Sequence, residues 1–194
     1  MNPIFGFFLS HWVIVSQSVF IASLILIVWV YLPVLWGAPW VPGSWRVINR
    51  MLELADVKPG QKVVDLGAGD GRIVILAARK FKAVAVGVEI DPFRWMIANL
   101  WILLLGLRGK AQVRLGDMRR FPTDGADVVT LYLLQGTNQT LKDSLEKSLR
   151  PGAKVVSHTF SMSGWNPVAL DDRRGIFVYE IGNTGEDVQT RMYS

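Results

Sequence analysis

Hydrophobic positions divide the chain into one unbroken apolar run and, after it, short apolar runs that alternate with helical stripes. From residue 12 to residue 36 only Ser16, Gln17, Ser18, Ser23 and Pro33 interrupt the apolar sequence. About 20 such residues suffice for a helix to cross a bilayer. Trp12 near one end and Trp29, Tyr31, Trp36 and Trp40 toward the other suit anchoring at the two interfaces. A cleaved signal peptide would carry Lys or Arg before its apolar core and a small-residue cleavage site after it, and neither precedes Pro33. The run therefore predicts a transmembrane helix.

Pro33, Gly37, Pro39, Pro42 and Gly43 then mark a linker. Ser44 is placed to cap an amphipathic helix with Val47, Ile48, Met51, Leu52 and Ala55 on its apolar face, ending near Asp56. Lys58-Pro59-Gly60 turns the chain into a buried strand that ends at Val63-Val64-Asp65-Leu66. Gly67-Ala68-Gly69-Asp70-Gly71 comes next, and a helical pattern occupies residues 73–80. Residues 83–88 read as a second strand closed by Glu89. Asp91-Pro92 starts a helix, with Asp as cap and Pro at the first helical position, that ends at Gly106. It is apolar on more than one face, which leaves surface for another partner. Residues 111–115, 126–134 and 154–160 read as further strands, with a helix over 138–149. Residues 176–181 and 188–192 flank Gly182-Asn183-Thr184-Gly185 as a hairpin. Alternating strands and helices predict an α/β fold with a doubly wound, mostly parallel sheet, and the closing hairpin adds an antiparallel strand.

Charge sharpens this division. No Lys, Arg, Asp or Glu occurs in residues 1–45 of the 194, so the net charge of +5 lies entirely in residues 46–194. The chain thus reads as a membrane anchor and linker over residues 1–43 and a domain over 44–194, large enough for its own core. Arg46, Arg50 and Lys58 come after the apolar run while the tail before it has no basic side chain. That bias places the domain in the cytoplasm, on a single-pass protein. The absence of cysteine excludes a disulfide framework, a thiolate metal site and a cysteine nucleophile, and no metal site is expected. Basic residues are scattered without a run of five, and no nucleic-acid partner is expected.

The chemistry centres on the glycine turn. A turn at the end of a strand that brings backbone close to a ligand needs positive φ or a missing Cβ, and glycine provides both. Glu89 closes the next strand 22 residues after Gly67, where a doubly wound sheet sets an acid beside ribose hydroxyls. Asp117 closes the third strand, within reach of an adenine edge. The dinucleotide pattern Gly-x-Gly-x-x-Gly is not met, because Gly71 arrives one residue early. Asp65 and Asp70 beside the glycines disfavour a phosphate and favour a cationic or zwitterionic ligand.

On these residues the chain resembles the class I methyltransferases that use S-adenosylmethionine, from about Val57 onward. It is most similar to a subfamily of membrane-anchored protein lysine methyltransferases, which includes enzymes acting on ATP synthase c-subunits and adenine nucleotide translocases. The similarity lies in Gly69 to Val74, in the Glu89 to Pro92 turn, in Val155 to Phe160 and in Gly164-Trp165, together with the apolar N-terminal segment. The resemblance implies a seven-stranded sheet ordered 3-2-1-4-5-7-6. It carries the roles of glycine turn, ribose acid and adenine acid to Asp65, Gly67, Gly69, Glu89 and Asp117. Ala68, Ile90 and Met118 complete the candidate S-adenosylmethionine site.

The fourth strand exits as Tyr132-Leu133-Leu134-Gln135 rather than as Asn-Pro-Pro-Tyr, which disfavours methylation of exocyclic base amines. Attack by a neutral amine on a sulfonium carbon asks for positioning, desolvation and loss of one proton. Tyr132 and His158 are the polar groups expected near the acceptor. Each also reads as structural, Tyr132 packed at a strand end and His158 hydrogen-bonded in place, and Trp165 is either a wall of the acceptor channel or a loop anchor. The expected acceptor is a lysine on a protein in or near the membrane, with the bilayer as a second partner through the N-terminal helix. A lipid or quinone methyltransferase and a non-catalytic nucleoside-binding module are the alternatives.

Overall fold

The structure, a computed structural model, describes residues 3–31 and 43–183, with the side chains of the first helix described from His11 to Val28. The chain separates into two compact units, Met1–Trp40 and Val41–Ser194. In the first, α1 (Pro3–Tyr31) is a single helix of 29 residues. Its window His11–Val28 has a mean hydropathy of 2.1, and its side chains are exposed throughout. The helix is long and apolar enough to cross a bilayer. Trp36 and Trp40, expected as interfacial anchors, lie outside the described residues.

The second unit is built on a seven-stranded sheet of order β3-β2-β1-β4-β5-β7-β6. Its parallel strands are β1 (Lys62–Leu66), β2 (Val84–Glu89), β3 (Ala111–Leu115), β4 (Val128–Leu131) and β5 (Lys154–His158). β6 (Ala169–Asp171) and β7 (Ile176–Glu180) close it antiparallel. The hairpin differs from expectation. β7 pairs with β6, which precedes it through a tight turn ending at Gly175 with φ of 60°, and the strand expected over 188–192 lies outside the described residues.

Connections run from β1 outward to β2 and β3 on one side and from β4 to β5 on the other. Right-handed crossovers then put α3 (Arg72–Arg79) and α4 (Pro92–Leu104) on one face and α5 (Gln135–Ser148) on the other. α2 (Trp45–Leu54) packs on α3 through Ile48, Met51 and Leu52. The winding is lopsided, because β3 returns to β4 through residues 116–127 with only a three-residue 3₁₀ turn, Met118–Arg120. No helix there covers the far face of β2 and β3, and Val84 and Arg114 are exposed.

Local signals place these elements well. Asp91 caps α4 through its side chain, accepting from the amides of Phe93 at 2.8 Å and Arg94 at 3.2 Å, and Pro92 opens the first turn. Ser44 stands at the cap position of α2 but makes no side-chain bond to the helix. Lys154 Nζ instead holds the other end of α2, donating to the Ala55 carbonyl at 2.9 Å. The core runs between α2, α3 and the sheet, from Ile48 and Met51 through Val63, Val74 and Ala77 to Val156 and Val178.

Candidate active site

Four candidate side chains end up along one rim because each sits at the carboxyl end of a parallel strand: Asp65 on β1, Glu89 on β2, Tyr132 just past β4 and His158 on β5. Between them lies the glycine turn. Gly67, Gly69 and Gly71 adopt φ of 86°, 55° and 80°, a region closed to most side chains. A Cβ at Gly67 would come within 2.8 Å of Leu133 Cδ2 and 3.7 Å of Met118 Sδ, so the loops after β4 and β3 close over the turn.

The turn is pinned by its own backbone. The amides of Gly67 and Ala68 donate to the Val88 carbonyl at 3.0 and 2.9 Å, and that of Gly71 to Ala68 at 2.8 Å. Gly69 donates to Glu89 Oε2 at 2.7 Å. A phosphate cradle presents such amides to its ligand. Here they face inward, and the acids Asp65 and Glu89 lie beside them.

Glu89 is buried, and its Oε1 accepts from the Asp91 amide at 2.9 Å. Its carboxylate thus clasps the glycine turn to the start of α4. Sequence reasoning expected ribose hydroxyls to satisfy both oxygens. The protein already supplies one donor to each, and each oxygen keeps a lone pair for a ligand.

Asp65 has a different environment. It is 1% exposed, and only Oδ1 has a partner, the Thr130 hydroxyl at 2.7 Å. Oδ2 is buried without a hydrogen bond. Burial raises this carboxyl to about 7; the Thr130 hydrogen bond opposes the rise, and the charges of Glu89 and Asp70 add to it. Thr130 sits opposite Asp65 in the β1–β4 register, the one hydroxyl in an apolar strand, and that interruption was the available sequence signal.

Asp117 caps the 3₁₀ turn and is gripped by Arg119, whose guanidinium holds its carboxyl below the usual value. Ile90 and Met118 border the same rim, Ile90 exposed and Met118 half-buried. On the far side, Asp70 pairs with Arg72 at 2.7 Å. Arg72 also donates to the Gly43 carbonyl at 3.0 Å and lies 5.7 Å from the Trp45 ring centroid. Gly43, which reads as the last residue of the linker, is thereby fastened to the glycine turn, which no sequence pattern signalled.

Tyr132 and His158 stack with ring centroids 4.4 Å apart and planes 12° from parallel. Burial raises the Tyr132 hydroxyl above its ordinary value, so it stays protonated at neutral pH. Burial lowers the His158 imidazole, which is neutral at pH 7 although a bond to the Arg174 backbone works the other way. Its Nδ1 lies 2.8 Å from Thr159 Oγ1. Trp165 is a loop anchor: Nε1 donates to Glu146 on α5 at 2.5 Å, and its ring meets Tyr179 edge-on at 5.5 Å.

Residues 65–169 match the ANTKMT methyltransferase domain. The chain belongs to that methyltransferase family. It is 42% identical over 151 residues to a protein-lysine N-methyltransferase of Saccharolobus islandicus, covering 74% of this chain and 94% of that one. It is 31% identical over 154 residues to the adenine nucleotide translocase lysine N-methyltransferase of Mus musculus, covering 78% and 67%. Among solved structures, an RNA methyltransferase from Salinibacter ruber in complex with S-adenosylhomocysteine is 43% identical, with a TM-score of 0.70, covering 76% of this chain and 96% of that one. The fold is therefore that of the class I methyltransferases, and the family's cofactor is S-adenosylmethionine. The rim suits it: an unpartnered buried carboxylate oxygen on Asp65 and a turn with inward amides fit an ammonium-bearing sulfonium better than a phosphate.

Proposed function

We propose that the protein is an S-adenosylmethionine-dependent N-methyltransferase acting on lysine in a membrane or membrane-associated protein, held at the bilayer by α1 with its catalytic domain in the cytoplasm. The stacked Tyr132–His158 pair at the exits of β4 and β5 carries the acceptor assignment, since it sets a flat aromatic wall and a hydroxyl on the same rim as the glycine turn. The protein-lysine N-methyltransferase relative, covered over nearly its whole length, supports the choice of acceptor. The charge-free α1 and the basic residues after it support the anchor and its orientation.

Asp65, Gly67, Ala68, Gly69, Glu89, Ile90, Asp117 and Met118 hold the cofactor, which supplies an electrophilic methyl group. Asp65 takes its ammonium, Glu89 its ribose hydroxyls and Asp117 its adenine edge. The chain's remaining task is to present a neutral amine in line. The aromatic wall receives the methylene stem of lysine, and the Tyr132 hydroxyl accepts from the amine N–H and so aims its lone pair. The ammonium proton leaves to solvent beforehand. His158, held by Thr159 and the Arg174 backbone, positions Tyr132 by stacking.

A second reading is favoured by one observation, the solved relative described as an RNA methyltransferase. The deciding experiment supplies labelled S-adenosylmethionine and the full chain to a membrane fraction and separates protein, lipid and RNA. Label in protein, recovered as methyllysine after hydrolysis, is the expected result. Label confined to RNA or to the organic phase overturns the lysine assignment.

A further inference from the structure

α4 has two apolar faces, and the fold uses one. Arg94, Ala98 and Ile102 are buried against the sheet, and the Trp95 ring nitrogen and Asn99 bond to the Val113 backbone on that side. On the opposite side Met96, Leu100, Leu103 and Leu104 recur at helical spacing and are exposed, Leu104 by 67%, with Trp101 on the flank exposed as well. A contiguous exposed apolar stripe of this kind marks an interaction surface.

What it faces is indicated by the charges around it. No acidic residue occurs from residue 92 to residue 116. At the C-terminal end of α4 a shallow depression of about 300 Å³ is lined by Arg79, Lys82, Gly106, Leu107 and Lys110, with exposed Arg108 between the last two. An apolar helical face that runs into a basic pocket is the pattern of a helix lying in the plane of an anionic membrane, its apolar side at the acyl boundary and its basic residues among headgroup phosphates. A second copy of the chain would bring no acid on this segment to answer the basic end.

We infer that the exposed face of α4, with Arg79, Lys82 and Lys110, docks the catalytic domain on an anionic phospholipid surface. α4 begins three residues after Glu89, so this contact extends to the cofactor rim and holds the mouth of the site at lipid level. There the long stem of a membrane protein's lysine snorkels to the interface. The inference rests on the proposal that α1 brings the chain to a bilayer.

The chain has no cysteine, so single labels are readily placed. The full chain carrying L100C, and separately K147C on α5 as control, is spin-labelled and reconstituted in nanodiscs of phosphatidylcholine with phosphatidylglycerol. Accessibility to oxygen and to a nickel chelate is then measured. The L100C label is expected to lose nickel accessibility and gain oxygen accessibility, the K147C label to remain open to nickel, and K82Q/K110Q to return the L100C label toward the control. An L100C label as open to nickel as K147C overturns the inference. So does shielding that persists in detergent and disappears on dilution, which identifies a second copy, or shielding that needs added membrane protein. Co-elution of the chain with the disc reports on the α1 anchor separately, so a chain that co-elutes while its L100C label stays open to nickel overturns the docking inference and leaves the anchor standing.

Discussion

Gly87 on β2 lies so close beneath Ala68 of the glycine turn that a Cβ there would come within 2.6 Å of the alanine methyl and 2.9 Å of Val74 Cγ2. The contact joins an interior strand to the glycine turn by shape alone. Gly87→Ala is expected to destabilise the protein by about 1–3 kcal/mol through overpacking and to weaken S-adenosylmethionine binding without touching the ligand. Urea unfolding and calorimetry check both effects. Because Ala68 is the nearest obstacle, adding Ala68→Gly should recover part of each, and no recovery would show that the turn is set elsewhere.

Asp65 makes the free protein sensitive to pH in a defined direction. Its carboxyl lies near 3.8 when unfolded and about 7 when folded, so between roughly pH 4 and 7 the folded state holds a proton that the unfolded chain has lost. Stability from this group is therefore full at acid pH, declines as pH rises through that window, and is lost above 7. A ligand ammonium favours the ionised form, so cofactor affinity is expected to rise with pH up to about 7, with proton release in calorimetry. Asp65→Asn should flatten both profiles. An unchanged affinity profile in the variant would remove Asp65 from the cofactor site.

Glu89→Ala should act on stability and on affinity together. Removing the carboxylate strands the buried amides of Gly69 and Asp91, at about 1–3 kcal/mol each. Denaturant unfolding without cofactor measures that cost, and calorimetry with S-adenosylmethionine at a temperature where the variant is folded tests the proposed ribose contacts. Stability lost with affinity intact would leave Glu89 as a clasp only.

Tyr132 and His158 divide into hydroxyl and stack. Tyr132→Phe keeps the stack, so it should lower kcat while leaving cofactor affinity unchanged. His158→Ala removes a stack of about 0.5–1.5 kcal/mol and should lower kcat as well. His158→Phe should recover most of that kcat if the imidazole only positions Tyr132. Failure of the phenylalanine to rescue would assign the imidazole a direct part in proton transfer.

Much of the strand and helix pattern is legible because its signals are local. Asp91-Pro92 opens α4 where a cap and a first-turn proline predict it. The strands before the glycine turn and before Glu89 read as buried because the apolar runs there are short and β-branched. The signals fade where contacts are distant in sequence. α5 begins at Gln135, three residues before the expected start, with Leu134 as a cap that makes no side-chain bond. β6 is only three residues long and is defined by pairing with β7, so no periodicity announces it. In sequence Trp165 fits a channel wall or, more commonly, a loop anchor, and its bond to Glu146 makes it an anchor.

The candidate site divides in the same way. Sequence alone determined which residues stand at the rim, because in a parallel α/β sheet the residue that ends each strand must emerge on one side. It also determined that 1–45 carries no charge and that the turn is acidic. Only the tertiary structure decided how those acids are used: Glu89 holds two backbone amides, Asp117 is gripped by Arg119, and Asp65 keeps one buried oxygen without a partner. The physical reason is that a side chain's type is written in its own position, while its burial and its hydrogen-bond partners come from strands and loops elsewhere in the chain.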